Sequence, residues 1–461
     1  MQNLTSVKPI GHCRYWALVC ITLLLTLSIG DRATLSVAGP HMQRDLGLDS
    51  VQLGWLFSVF AWSYAIGHAP AGWLSDKLGI KKTILIALVL WSLITILMGF
   101  VSWFSFVFLA LLVLRFILGF MEAPVTPSSG RVLAAWFPSQ ERGKAGAIFN
   151  CAQYLSLVIF TPLMGWLDHE FGWEHIFWVM GGLGIFVAIF IKKVLYLPTT
   201  HPSITKDEID YIRNGGGIVE MDSKAEKERI KEKGSSDLVM VKKILKNRTL
   251  CGIFIGQYCI ASITWFFMTW FPIYLVKQQG FNILQAGFIA AIPAISGCIG
   301  GVFSGFFSDW MYKRTGSLTL ARKLPITIGL TLSALIIACN YTQSQTIVIV
   351  LMSLSFFGKG FGSLGHAVIA DTAPREIVGL TAGIFGTIAN CAGVITPVVI
   401  GYILSSTDSF EFALIYVGLH GVIAVVSYWV IVGKLQRVDI INDVDDQNNS
   451  KKNAIGMQNN R

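Results

Sequence analysis

The sequence predicts an all-α polytopic membrane protein of twelve transmembrane helices, arranged as two pseudo-symmetric six-helix bundles. Three observations predict it. The composition is too apolar for a water-soluble chain: 53% of 461 residues are hydrophobic, 14% are charged, and the mean hydropathy is +0.60. Apolar stretches of about twenty residues, enough to cross the hydrocarbon core as helices, recur along the chain. What precedes residue 198 returns after residue 246.

The first stretch lies near 16–37, and five more lie near 51–73, 82–101, 105–127, 143–166 and 174–197. Lys8 and Arg14 ahead of Trp16–Leu27, with Ser36-Val37-Ala38 beyond, have the outline of a cleaved signal peptide. The run continues through Asp31 and Arg32, however, and cleavage would leave an odd number of spans and invert the charge bias of the loops, so it is read as the first span. Residues 198–246 break the pattern with Pro198, His201-Pro202, Gly215-Gly216-Gly217 and a mixed-charge run from Glu220 to Lys233. They are expected to form a cytoplasmic linker with short amphipathic helices at most. Six stretches follow, near 249–275, 283–307, 324–341, 345–370, 377–403 and 411–433. The chain thus divides into a bundle at 1–197, a linker at 198–246, a second bundle at 247–434, and a polar tail at 435–461 expected to be disordered.

The halves match at a nearly constant offset, the mark of a duplicated unit. Gly72-Trp73-Leu74-Ser75-Asp76 returns as Gly305-Phe306-Phe307-Ser308-Asp309, with Asp76 and Asp309 separated by 233 residues. Ala147-Ile148-Phe149 returns as Gly383-Ile384-Phe385, and Thr161-Pro162 with Gly165 returns as Thr396-Pro397 with Gly401. Parallel six-helix repeats of this kind build two-bundle transporters.

The net charge of +9 is located by sidedness and does not indicate nucleic-acid binding. Lys77, Lys81, Lys82, Arg142, Lys144, Lys313, Arg314, Arg322, Lys323 and Arg375 fall in the short loops on one side, with Lys8, Arg14, Lys434 and Arg437 in the tails. The loops on the other side hold only Arg44 and Lys277. The positive-inside rule therefore places both termini in the cytoplasm. The eight cysteines fall mostly inside spans, without Cys-x-x-Cys or an outward cluster, which argues against a disulfide framework or a zinc site. No cofactor or metal is expected. An intramembrane enzyme would need a nucleophile and base in register, and neither Gly-x-Ser-x-Gly nor His-Glu-x-x-His is present.

Gly72-Trp73-Leu74-Ser75-Asp76-Lys77-Leu78-Gly79-Ile80-Lys81-Lys82, between spans two and three, resembles the signature loop of the major facilitator superfamily. Gly72 and Gly79 permit close approach and a tight turn, and Asp76, like Asp309 in the second half, can pair or cap in one conformation only. A closer resemblance covers nearly the whole chain. Gly30 to Ser36, Phe116 to Pro124 (FILGFMEAP), Ala134 to Pro138, Trp265 to Leu275 (WFFMTWFPIYL), Leu320 to Pro325, Phe356 to Gly360 (FFGKG) and Asp371 to Leu380 are similar to the anion:cation symporter family, and most to its bacterial glucarate, galactarate and galactonate permeases. The resemblance implies proton-driven uptake of a sugar-acid anion across the bacterial inner membrane.

Four ionisable residues lie inside spans: Asp31 and Arg32 in the first, Arg115 and Glu122 in the fourth. Each costs roughly 2.5–3.5 kcal/mol at a helix centre, so four unpaired would cost on the order of 10 kcal/mol. They must pair, face water, or work. Arg115 and Glu122 are two helical turns apart and share a face. Guanidinium groups grip carboxylates bidentately, which suits Arg32 and Arg115 to an anion. Carboxylates change protonation with burial and neighbouring charge, which suits Asp31 and Glu122 to protons. The resemblance assigns these positions the same roles, and adds Tyr64 and Gln153 as ligands of the sugar hydroxyls. The alternative is that the four merely lock helices together.

Trp265, Phe266, Phe267 and Trp270 read as an aromatic belt, with part of an outer gate as the other possibility. Lys359 is left open between the anion and a helix end. Ile29, His68, His366 and Gly386 replace the Tyr, Gln, Trp and Asn usual in the related permeases, at positions that face the cavity by analogy, with His366 a candidate ligand. Such changes alter selectivity in a polar pocket. The expected function is proton-coupled symport of a glucarate- or galactarate-like anion by a monomer in the lipid bilayer. Another organic anion, anion exchange, or a non-transporting sensor are the alternatives.

Overall fold

The computed structural model describes residues 11–220, 237–374 and 377–438, leaving aside the surroundings of Ala69, Gly72, Trp73, Asp76, residues 237–240 and Gly379. In the first half the helices are α1 (Cys13–Leu46), α2 (Ser50–Leu78), α3 (Ile80–Met98), α4 (Val107–Glu122), α5 (Val125–Trp136), α6 (Ser139–Phe171) and α7 (Trp173–Val194). Between the halves lie α8 (Lys206–Asn214) and α9 (Asp237–Lys246). The second half contains α10 (Arg248–Thr269), α11 (Phe271–Lys277), α12 (Ile283–Thr315), α13 (Leu318–Ser333), α14 (Gln345–Gly360), α15 (Leu364–Thr372), α16 (Val378–Thr407) and α17 (Glu411–Val426). Among the described residues, eleven helical stretches are long and apolar enough to cross a membrane, and α2 adds a further helix of 29 residues. α1 is longer than its apolar core, continuing through Pro40 to Leu46.

The fourth span of each half is interrupted. α4 gives way to α5 at Ala123-Pro124, where proline lacks the N–H a continuous helix would use. α14 gives way to α15 through the 3-10 turn Phe361–Ser363. Glu122 and Lys359 sit just before these breaks.

The helix ends carrying Lys81, Lys82, Arg142 and Lys144 form a basic end, and the opposite ends form a far end. At the far end the repeat is more exact than the matches above. α1 closes on Gly47 (φ 67) and α2 starts with a capping box between Asp49 and Gln52. Spaced 233 residues later, Gly280 (φ 72) precedes a capping box between Asn282 and Gln285 at the start of α12. The glycines two residues beyond, Gly54 and Gly287, make the seams between the bundles. A Cβ on Gly54 would lie 2.7 Å from Pro397 O and 3.4 Å from Gly401 Cα. One on Gly287 would lie 2.6 Å from Thr161 O and 3.1 Å from Gly165 Cα. Only glycine permits backbones so close.

Two hydrogen bonds also cross in these halves: Ser36 Oγ donates to Thr269 O at 2.5 Å and Ser58 Oγ to Val394 O at 2.7 Å. Toward the basic end, a Cβ on Gly143 or Gly146 of α6, or on Gly383 or Gly386 of α16, would have nothing within 4 Å. The bundles are closed together at the far end and parted at the basic end.

The basic end is dressed by the segment after α7. Glu208 of α8, 0% exposed, receives the backbone N–H groups of Cys13 and Arg14 at 3.4 and 3.3 Å, and Arg14 pairs with both Glu208 and Glu141. The start of the linker is therefore fastened to α1 and α6. Residues 221–236, with most of the mixed-charge run, lie outside the described residues, as does Arg375.

In the signature loop, Gly79 turns at φ 86 between α2 and α3. Lys81 places its ammonium 3.4 Å from the centre of the Tyr196 ring, while Lys82 and Asp309 are exposed. The surroundings of Gly72 and Asp76 lie outside the described residues. Their neighbour Ser75 accepts from Arg131 at 2.9 Å, and the repeat-related Ser308 accepts from Arg322 at 2.8 Å, which also pairs with Asp371 at 3.0 Å.

Two expectations change. Phe266 and Trp270 are fully buried rather than facing lipid, and Trp270 donates to Pro397 O at 3.2 Å and packs edge-on against Phe57 of the other bundle. The aromatic run belongs to the inter-bundle packing at the far end, not to a belt. Residues 435–438, at the start of the expected tail, are tied to the second bundle through Leu435 N to Thr319 Oγ1 and Val438 N to Thr372 O. Residues 439–461 lie outside the described residues.

Candidate functional site

Glycine sets the site's scaffold. Gly119, one turn after Arg115, would place a Cβ 2.5 Å from Phe60 O, so α4 lies directly on α2. That contact brings Arg115 Nε to Leu56 O at 3.4 Å and its guanidinium to 5.2 Å from the Phe60 ring centre. On α2, Phe60, Tyr64 and His68 recur every fourth residue and share one face. Tyr64 stacks on Phe60 at 5.9 Å and meets His68 edge-on at 4.4 Å, and its hydroxyl is hydrogen-bonded to Thr126 at 2.9 Å.

α1 supplies the other charges. Arg32 Nε donates to Glu122 Oε2 at 3.1 Å, and Ser28 Oγ donates to the same oxygen at 2.7 Å. Ser28 lies one turn before Arg32 and also receives Arg32 Nη2 at 3.3 Å. The Arg32 guanidinium lies over the Tyr64 ring at 4.3 Å and the Phe60 ring at 5.1 Å. Asp31 points elsewhere and accepts from Thr95 Oγ1 of α3 at 2.7 Å. The residue pairing is therefore crossed: Glu122 holds Arg32 of another helix, not Arg115 of its own.

Asp31, Arg115 and Glu122 are at most 2% exposed and Arg32 is 9% exposed. One polar atom remains without a hydrogen-bond partner on each of three residues, namely Asp31 Oδ1, Glu122 Oε1 and Arg115 Nη1. Buried polar atoms are normally paired, and each left alone costs about 1–3 kcal/mol. Three such atoms close to one ion pair are unused donor and acceptor capacity inside the first bundle.

Tyr64 thus joins the four charges, whereas Gln153 and His366 do not. Gln153 donates to Asn150 O on its own helix at 3.1 Å. His366, exposed on α15, packs edge-on against Phe385 at 5.2 Å in the second bundle. Lys359 is 7% exposed, with its ammonium 5.0 Å from the Phe356 ring centre and 5.3 Å from that of Tyr154 across the seam. Ser28 and Thr95 were not singled out from the sequence. Ser28 was within reach of the helical spacing from Arg32, but nothing local in α3 distinguishes Thr95. Among the described residues no group of three His, Cys, Asp or Glu side chains is placed to hold a metal.

The Major Facilitator Superfamily sequence profile matches residues 21–321 and 315–452. The chain is 48% identical over 441 residues to the probable galactarate/D-glucarate transporter GudP of Escherichia coli (strain K12), covering 95% of this chain and 98% of that protein. It is 46% identical over 454 residues to the protein of the same description from Bacillus subtilis (strain 168), covering 97% and 99%. In structure it superposes on a bacterial homologue of the human lysosomal transporter Spinster, in an inward-facing and unoccupied conformation, with a TM-score of 0.72 at 17% identity, covering 92% and 98%. Two like bundles joined by a linker, with ionisable groups buried between spans, are the expected build of such proteins, and the chain belongs to the Major Facilitator Superfamily, a family of membrane transporters and not of enzymes.

Proposed function

We propose that the chain is a proton-coupled symporter that takes up a sugar-acid anion of the galactarate or D-glucarate type across the bacterial inner membrane. The far end is taken as the outside and the basic end, with both termini, as the cytoplasm, in keeping with the positive-inside rule. The relatives' descriptions support the substrate class. The observation that carries the coupling is the Arg32–Glu122 pair with its spare carboxylate oxygen.

A substrate carboxylate arriving in the cavity competes with Glu122 for Arg32, and Arg115 Nη1 is free to take a second oxygen. A carboxylate deprived of its guanidinium in a dry core is neutralised by a proton. Substrate and proton are then bound together because each removes the other's penalty. Asp31, held by Thr95 and also with a spare oxygen, serves as the second proton site. Tyr64 and, after closure, Gln153 and His366 contact the hydroxyls. Rocking of the bundles about this midplane site alternates access, and one chain contains the whole path, so a monomer suffices.

The test is uptake of labelled galactarate, D-glucarate and galactonate into proteoliposomes under an imposed pH gradient. Inward acid is expected to drive accumulation that a protonophore abolishes. Undiminished accumulation with the protonophore and no internal counter-anion would refute symport.

A further inference from the structure

Arg44 and Lys277, the two cations of the outward loops, are separated by 233 residues, the spacing of Asp76 and Asp309. They sit in the last turns of α1 and α11. A cation there complements the helix dipole, which accounts for each one alone. It does not account for their convergence. Both line a single cavity of ≈ 790 Å³ that takes residues from the two bundles, including His41 and Gln43 from the first and Asn282 and Ile283 from the second.

No acidic side chain lines this cavity among the described residues. Carboxylates on the adjoining elements have partners of their own. Asp168 is bonded to His41 at 2.7 Å, Glu170 to His169 at 3.0 Å, and Asp45 accepts from Trp173 Nε1 at 3.1 Å, while Asp168 acts on Arg44 and Asp408 on Lys277 through space, so that among the described residues each cation keeps one carboxylate at a distance and none in contact. The N-terminus of α12 adds the positive end of a 33-residue helix. Gln43 is 9% exposed and its Oε1 lacks a partner, an acceptor that suits a hydroxyl of the solute and not its carboxylate. The cavity adjoins the closure itself: a Cβ on Gly165 would lie 2.9 Å from Ile283 O.

We propose that this cavity is an anion-capture vestibule, in which Arg44 and Lys277 gather the carboxylates of the sugar acid on the outer face before the seam opens. The inference rests on the proposed uptake of a sugar acid. Exposed charge pairs hold weakly, but a cleft of one sign concentrates its counter-ion and speeds association, with an effect that salt removes. The vestibule therefore acts on KM at low ionic strength and leaves the turnover of the loaded carrier to the central site.

The experiment is initial-rate uptake of labelled galactarate into intact cells, which reads only the outer face, at low and high salt. The Arg44→Gln/Lys277→Gln variant is expected to raise KM roughly five- to tenfold at low ionic strength and to lose the parent's salt dependence, with Vmax within about twofold. The charge-preserving Arg44→Lys/Lys277→Arg variant is expected to behave as the parent. A double glutamine variant with the parent's KM and salt dependence overturns the vestibule, and so does one whose Vmax falls at constant KM, which would assign the two cations to gate geometry. An unchanged KM, together with a rise in melting temperature on adding phosphatidylglycerol that the parent shows and the variant lacks, would place a lipid phosphate there instead, and also overturns it. A parent that transports no sugar acid overturns the proposed function, an outcome distinct from each of these.

Discussion

Alanine at Gly287 tests whether the far seam is the closed gate. The new Cβ would sit 2.6 Å from Thr161 O and 3.1 Å from Gly165 Cα, and both obstacles are backbone, so no side chain can swing away. Restoring ordinary contact needs a separation of about 0.8 Å, on the scale at which facing surfaces forfeit a quarter to half of their dispersion energy. Overpacking of this kind costs typically about 1–3 kcal/mol. If it falls on the far-closed state alone, the equilibrium moves roughly 5- to 150-fold toward far-open. The reporter is Ser36→Cys in a cysteine-free background, since Ser36 is fully buried in the seam against Thr269 O. Labelling by a membrane-impermeant maleimide from outside should rise in Gly287→Ala by a factor in that range. Gly182→Ala, whose Cβ would have nothing within 4 Å, should not change it. Equal labelling of Gly287→Ala and parent, in protein that elutes as a single folded species, would refute the gate.

Arg115→Lys keeps the charge but loses the planar fork, and with it a charge-assisted bond of about 1.5–3 kcal/mol; substrate affinity should fall on the order of 10- to 100-fold, and equal affinity in a direct binding assay would remove Arg115 from the site. Glu122→Gln retains a carbonyl to accept from Ser28 and Arg32 but carries no proton, so exchange of internal for external substrate should survive while pH-driven accumulation is lost. The same split should be weaker for Asp31→Asn, and a parallel fall in both modes would mark the ion pair as a helix lock. Arg14→Ala leaves Glu208 buried without its cation; removing one partner of a buried pair costs about 3–5 kcal/mol, which should show as a lower melting temperature and folded yield, and an unchanged melting temperature would show that α8 is not fastened through this pair.

The spans and the four ionisable residues were legible because the bilayer penalises every exception to an apolar run, so length and the rare charges carry most of the information. Which charge meets which was not legible. Helical spacing put Glu122 on the face of Arg115, but the tertiary placement of α1 beside the broken α4–α5 span decided the matter in favour of Arg32, and the Thr95–Asp31 bond depends on the placement of a third helix. The aromatic run from Trp265 to Trp270 misled because tryptophan and phenylalanine suit both a lipid interface and a buried seam, and the sequence near Pro272 does not separate the two. The repeat at the far turns was present in the letters as Gly47, Asp49, Gln52 and Gly54 against Gly280, Asn282, Gln285 and Gly287. It escaped notice because caps are short and chemically ordinary, and they gain meaning only when both are seen to hold the same corner.

Asp31, Arg32, Arg115 and Glu122 all belong to the first bundle, and so do Ser28, Thr95 and Tyr64, which hold or face them. Their mutual distances are thus internal to one bundle and, on the proposed mechanism, would not have to be rebuilt at each stroke. In the proposed rocking motion the second bundle would act as a shutter passing across a fixed instrument. On the proposed mechanism, changes to the second bundle at Lys359, His366 or Gly386 would retune what is admitted and how fast, while the coupling of proton to anion would stay with the first bundle.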